Sequence, residues 1–136
     1  MKKLKIVVSL FLFTCILSLN NIKADSYLNF ASITVPSMQG IYTSSSVYKT
    51  SLSNQYIKKI AAIDKLSGDE RAIGARLKDV TTYYAKTVKG SYVQLFNNNS
   101  GLGQTTGSYK LQLKAEKWTA TSSAFSGSWI LDDFLL

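Results

Sequence analysis

The chain has no histidine, one cysteine, one proline and only 8 acidic residues among 136. Without histidine, the commonest general base and a principal metal ligand are missing. The cysteine, Cys15, stands in the apolar stretch "LFTCILSL", with neither Gly nor Ala directly before it to mark a lipid attachment point. It is therefore read as part of that hydrophobic segment. Beyond it no thiol is left for nucleophilic attack, for a disulfide, or for zinc, copper or haem ligation. These absences exclude most hydrolases and metalloenzymes, and no cofactor is expected. A domain with no covalent staple must be held by burial alone.

The first 24 residues, "MKKLKIVVSLFLFTCILSLNNIKA", place Lys2, Lys3 and Lys5 before an apolar run from Ile6 to Leu19 and a short polar piece ending at Ala24. That is the order of a secretory signal peptide, and the run is shorter than the roughly 20 residues a membrane-crossing helix needs. Residues 1–24 are expected to be a cleaved signal, with an uncleaved anchor as the rival, and residues 25–136 a single secreted β domain. Its expected location is extracellular or cell-wall associated.

The formal charge of +8 combines 16 Lys plus Arg with 8 Asp plus Glu, but Lys2, Lys3, Lys5 and Lys23 belong to the leader. The remaining excess is concentrated between residues 58 and 89. There Lys58, Lys59, Lys65, Arg71, Arg76, Lys78, Lys86 and Lys89 face Asp64, Asp69, Glu70 and Asp79. Such a patch suits an anionic cell-wall polymer or anionic lipid, although a solvated surface explains it more plainly. Membrane contact is expected only through this patch. With no basic run, nucleic acid is not an expected partner.

From Ser26 onward, Tyr, Val, Ile and Thr alternate with polar residues between Ser, Gly and Asn breaks, a pattern of strands. "SYLNFASITV" ends at Pro36, "SMQG" turns, and "IYTSSSVYKT" follows as one strand. "YIKKIAAI" and "RAIGARLKD" read as a hairpin about "SGDE". A helix is the rival over this part, since Tyr56, Ile60 and Ile63 fall at i, i+4 and i+7, with Ser53 as cap and Gly68 as stop. "TTYYAKTV" and "SYVQLF" follow. In "SYKLQLKA", Tyr109, Leu111 and Leu113 share one face, with Ser108, Lys110, Gln112 and Lys114 on the other. "AFSGSWILDD" puts Phe125, Trp129 and Leu131 on one side, with Gly127 making room between large rings. The expected fold is all-β, an antiparallel sandwich or barrel of about 7–8 strands.

The glycine-rich "GLGQTTG", Gly101 to Gly107, resembles a phosphate cradle, but a strand follows it instead of a helix and no Gly-Lys-Ser/Thr ending is present. It is read as a flexible connection, and Asn98-Asn99-Ser100 beside it is formally a glycan acceptor. Asp132 and Asp133 are strand neighbours pointing to opposite faces, a poor catalytic dyad, and are read as solubilising an apolar C-terminal strand or discouraging edge pairing. Asp64, Asp69 and Glu70 lack EF-hand spacing and read as a solvated acidic turn. No G-x-S-x-G or S-x-x-K element nominates a serine nucleophile, so no enzymatic activity is expected.

Binding remains, through flat rings that stack on sugars and cations that hold anions. Tyr42 and Tyr48 are candidate exposed aromatics; Trp129 is expected in the core. The chosen binding residues are Tyr83, Tyr84, Trp118, Arg71, Arg76 and Lys78, of which at most one of the two adjacent tyrosines is expected to face inward.

The layout of a Lys-rich leader, "YLNFASITVP", "SGDERAIGARL", "GSYKLQL" and "SGSWILDD" resembles uncharacterised small secreted β-rich proteins of Gram-positive bacteria. Some exported β-proteins of such bacteria are bacteriocins, to which the likeness is one of size and class, and no site residue is carried over. With chemistry largely excluded, the expected function is a secreted binding or interaction protein that recognises a cell-wall polymer, glycan or surface protein through an aromatic and basic sheet face. Its alternative is a bacteriocin-like toxin acting on the envelope of competing cells.

Overall fold

The computed structural model describes residues 27–95 and 103–132. The leader, the Asn98-Asn99-Ser100 acceptor and Asp133 lie outside the described residues. Among those described there is no helix, and the strands are β1 (Tyr27–Val35), β2 (Ile41–Thr43), β3 (Val47–Lys49), β4 (Tyr56–Asp64), β5 (Ile73–Leu77), β6 (Ala85–Lys86), β7 (Tyr92–Gln94), β8 (Gly107–Tyr109), β9 (Leu111–Ala115) and β10 (Ser123–Ile130). They form a first sheet in the order β1-β10-β4-β7, a second in the order β2-β9-β5-β6, and a two-stranded piece, β3-β8. Every ladder is antiparallel. None of the three sheets closes into a barrel, so that alternative falls.

Alternation decides which faces meet. Phe30, Ile57, Phe125 and Trp129 of the first sheet share one apolar cluster with Ile73, Ala75, Leu77, Leu111 and Leu113 of the second. Phe30 links the sheets edge-on, with its ring 6.3 Å from Tyr42 and 6.4 Å from Phe125. Tyr42, expected to be exposed, is thereby drawn toward the core, and Tyr48 remains exposed. Trp129 is buried as expected and donates its indole N–H to Gln55 Oε1 at 2.9 Å.

Both ladders of β10 shift register, with β1 between Phe30 and Ile33, and with β4 between Ser126 and Gly127, where Ile60 of β4 is the extra residue. Ser32 adopts φ 58° at the first of these shifts, and its amide is satisfied by Ser126 Oγ at 3.1 Å. Gly127 is required here by the backbone of β4. A Cβ on it would lie 2.2 Å from the Lys58 carbonyl oxygen, so the room it makes is for a neighbouring strand as well as for Phe125.

Three expectations are corrected. First, the described residues hold more strands than the seven or eight expected, because "IYTSSSVYKT" and "SYKLQLKA" each divide between two sheets. Ser44 makes the break: its amide donates to Leu111 O, and its hydroxyl accepts from Leu111 N at 2.9 Å, replacing a ladder bond with a side-chain bond. Second, β4 and β5 are strands, and the helical rival is overturned, but they are paired only near the turn. Ile63 bridges Glu70 and Arg71 N donates to Ala62 O, after which β4 runs with β10 and β5 with β9. Third, β10 is a central strand, and Asp132 just beyond it is buried, so Asp132 neither solubilises nor guards an edge. The connection from the glycine-rich segment resumes at Gly103, whose carbonyl accepts from Gln55 Nε2, and leads into β8. A strand follows these glycines, as expected.

Candidate functional site

The outer face of the second sheet concentrates the features singled out for binding. Ile73, Ala75 and Leu77 point inward, which sends Gly74 and Arg76 outward. The same alternation in β9 sends Gln112 and Lys114 outward, beside Thr43 and Ile41 of β2 and beside Lys86 of β6 through their registers. Tyr84 lies against this surface because Gly74 has no side chain; a Cβ there would stand 2.8 Å from Tyr84 Cβ.

Two cations flank the Tyr84 ring, the Arg76 guanidinium at 4.5 Å and Lys114 Nζ at 5.5 Å. Arg76 is fixed by Nε donating to Gln112 Oε1 at 2.9 Å, and Gln112 in turn donates to Thr43 Oγ1 at 3.2 Å. Arg76 Nη1 also donates to Thr82 O. Arg76, Lys86 and Lys114 share this face with no carboxylate among its outward strand positions. Glu116 first appears at the margin, where a shallow groove of about 320 Å³ is lined by Gln39, Gly74, Tyr84, Lys114, Ala115 and Glu116. The Tyr84 hydroxyl is buried without a hydrogen-bond partner. Chemically, the face offers fixed positive charge around a ring clamped in place.

The other chosen residues are distributed differently. Tyr83 is exposed, and Tyr84 beside it in the chain lies half-buried against the outer face of the second sheet, so neither ring enters the core. Lys78 is exposed past the end of β5, its amide bonded to Lys110 O at 2.9 Å, which continues the basic strip along that end. Arg71 is engaged elsewhere, its Nη2 lying 3.1 Å from Asp64 Oδ2. Trp118 is exposed in the β9–β10 connection between Lys117 and Thr119, which line a smaller cleft with Glu70 and Arg71. Lys86 belongs to the basic patch between residues 58 and 89, whereas Lys114 lies outside it and is marked in the sequence only by its place opposite the apolar face of "SYKLQLKA".

The acidic turn is a structural corner. Asp64 is buried, and its carboxylate accepts from Thr121 Oγ1, from the amides of Ser67 and Leu66, and from Arg71. The Thr121 hydroxyl bond first, then the Ser67 amide, hold its carboxyl far below the usual carboxylate range against the opposing effect of burial. Glu70 instead accepts from Ala62 N and pairs with Lys59 Nζ at 3.2 Å. Among the described residues no group of three or more His, Cys, Asp or Glu is placed to hold a metal ion.

A second polar cluster lies near the chain's far end. Lys49 Nζ, fully buried, donates to Leu131 O at 2.6 Å and pairs with Asp132 Oδ1 at 3.2 Å. Asp132 also accepts from the amides and hydroxyls of both Thr50 and Ser51. Burial works to raise its pKa, but these donors, with Ser51 Oγ foremost, outweigh it and hold the carboxyl below the ordinary range. Lys49 Nζ also lies 3.4 Å from Ser51 Oγ and 2.9 Å from Ser53 Oγ.

Comparison with protein-family models, with curated proteins and with solved structures gives no match for this chain.

Proposed function

We propose that the two four-stranded sheets are the layers of a β-sandwich in a secreted, non-enzymatic binding module, and that the outer face of the second sheet holds an anionic polymer of the cell envelope. The observation that carries this reading is Tyr84, with Arg76 4.5 Å and Lys114 5.5 Å from its ring, on a strand face free of carboxylates. Repeated negative groups along a polymer suit a strip in which Lys114, Arg76 and Lys86 stand on the successive strands β9, β5 and β6. Strands in a sheet lie about 4.8 Å apart, so these charges are spaced to act together on one extended ligand. A bacteriocin-like action has no comparable support in this geometry.

The test is retention of the purified protein on isolated Gram-positive cell wall, before and after chemical removal of its anionic polymers. Retention is expected on intact wall only. It should be lost near 1 M NaCl, where the screening length falls to about 3 Å. Arg76→Gln/Lys114→Gln is expected to weaken it about tenfold, since two charged contacts near 0.7 kcal/mol each make one decade. Equal retention on stripped wall, or indifference to both salt and substitution, refutes the proposal. Killing of related strains that is independent of these residues points instead to a toxin.

A further inference from the structure

The outer face of the first sheet has a different chemistry. Its registers align two cross-strand rows. Tyr27, Ile130, Tyr56 and Gln94 form one, and Asn29, Ser128, Lys58 and Tyr92 the next. The intervening row, Leu28, Trp129, Ile57 and Val93, belongs to the inner face, where Trp129 and Ile57 are fully buried. Three tyrosines therefore share one outward surface. Tyr27 is 50% exposed and Tyr92 46%, and Tyr56 is half-buried between them.

Their neighbours are amides and hydroxyls, with one cation and no carboxylate in either row. Several of them are already braced. Ser128 Oγ donates to Asn29 Oδ1 at 2.8 Å, Asn54 Nδ2 reaches the Tyr56 hydroxyl at 3.4 Å, and Lys58 Nζ lies 5.2 Å from the centre of the Tyr92 ring. A surface whose side chains are held before the ligand arrives loses little conformational freedom on binding.

From this we infer a second binding site, a platform for an uncharged, extended glycan. Tyrosine rings cover the C–H faces of pyranoses, and amides and hydroxyls serve sugar hydroxyls as both donors and acceptors. Tyr27 and Tyr56 are separated by one strand, about 10 Å, a spacing that a disaccharide unit spans. The lack of any carboxylate and the presence of a single lysine give no charge pattern for a polyanion or a basic partner. The only aliphatic outer residue in the two rows, Ile130, is itself half-buried, so the surface lacks the apolar centre of a protein interface. This site is independent of the basic face, because it lies on the other sheet and uses none of its residues.

The test is calorimetric titration of the purified protein with three neutral tetrasaccharides, built from N-acetylglucosamine, glucose and mannose. Saturable binding to at least one is expected, unchanged in about 1 M NaCl because no ion pair is involved. Tyr27→Ala/Tyr92→Ala should weaken it roughly tenfold, as two stacking contacts near 0.7 kcal/mol each make one decade, and Tyr84→Ala should leave it unchanged. Absence of saturable binding to all three sugars, persistence of full affinity in the double variant, or loss in Tyr84→Ala or in salt overturns the inference. Loss of cell-wall retention in salt with tetrasaccharide binding intact would separate this site from the anionic one.

Discussion

Replacing Asp132 by alanine tests the most demanding polar arrangement in the molecule. The substitution removes the carboxylate from a fully buried ammonium, Lys49, and takes an acceptor from the Thr50 and Ser51 amides and from both their hydroxyls. Breaking a buried pair by deleting one member costs about 3–5 kcal/mol, and the number of donors left behind places this case near about 4 kcal/mol. Lys49→Met is expected to cost less, about 2–3 kcal/mol, because methionine keeps the alkyl packing and Asp132 retains two amides and two hydroxyls. Urea unfolding followed by fluorescence reads both variants. Of the two tryptophans, Trp129 is fully buried and reports the transition, whereas Trp118 is already exposed and contributes a nearly constant background. At a slope of about 1.5 kcal/mol per molar, the midpoint of Asp132→Ala should fall by roughly 2.5 M. The double substitution Lys49→Met/Asp132→Ala should cost less than the sum of its parts, since the two groups are in contact. A loss below about 1 kcal/mol for Asp132→Ala, the reverse order of the two single variants, or strict additivity would refute this account of the cluster.

Two further stability predictions follow from the same structure. Gly127→Ala should lower the melting temperature by about 10–20 °C, a cost of about 2–3 kcal/mol, because the new Cβ meets the Lys58 carbonyl and backbone must move; a melting temperature within about 2 °C of the parent would contradict the close approach of β4 and β10. Asp64 and Asp132 have folded-state pKa values below their unfolded ones, so the stability they contribute is complete above the unfolded carboxylate value near 4 and is lost as the pH falls through the folded values. Melting curves between pH 7 and pH 2 should therefore decline on the acid side, and Thr121→Val, which removes the foremost donor to Asp64, should flatten that decline; an unchanged acid slope in this variant would count against the assignment.

Much of the core is readable from periodicity alone. Tyr109, Leu111 and Leu113 alternate with polar residues, Phe125, Trp129 and Leu131 keep the same odd-numbered side of their segment, and all six are buried. The breaks are not readable, because Ser44 substitutes its own hydroxyl for a ladder partner and alternation continues through the point where the chain changes sheets. Lys49 and Asp132 are equally hidden: each is polar in a plausible surface context, and only the pairing of distant segments brings them together. The Tyr84 site is an intermediate case. Tyr84 and Arg76 stand out as an aromatic and a cation, but their stacking depends on the missing side chain of Gly74 and on the registers of three strands. The tyrosine platform of the first sheet escapes sequence reading for a related reason, since Tyr27, Tyr56 and Tyr92 belong to three separate strands and align only through β10 or β4.

The position of β10 also dictates the order in which the molecule can be assembled. This last described strand lies between β1, the first described, and β4, so neither neighbour has its partner along that edge until β10 has emerged. Contacts spanning nearly the whole length are entropically expensive to close and slow to form. A nascent chain halted before Ser123 would carry β1 unattached and leave Phe30 and Ile57 without Phe125 and Trp129 to cover them. The first sheet thus closes late, since β1 and β4 are joined only once β10 docks between them.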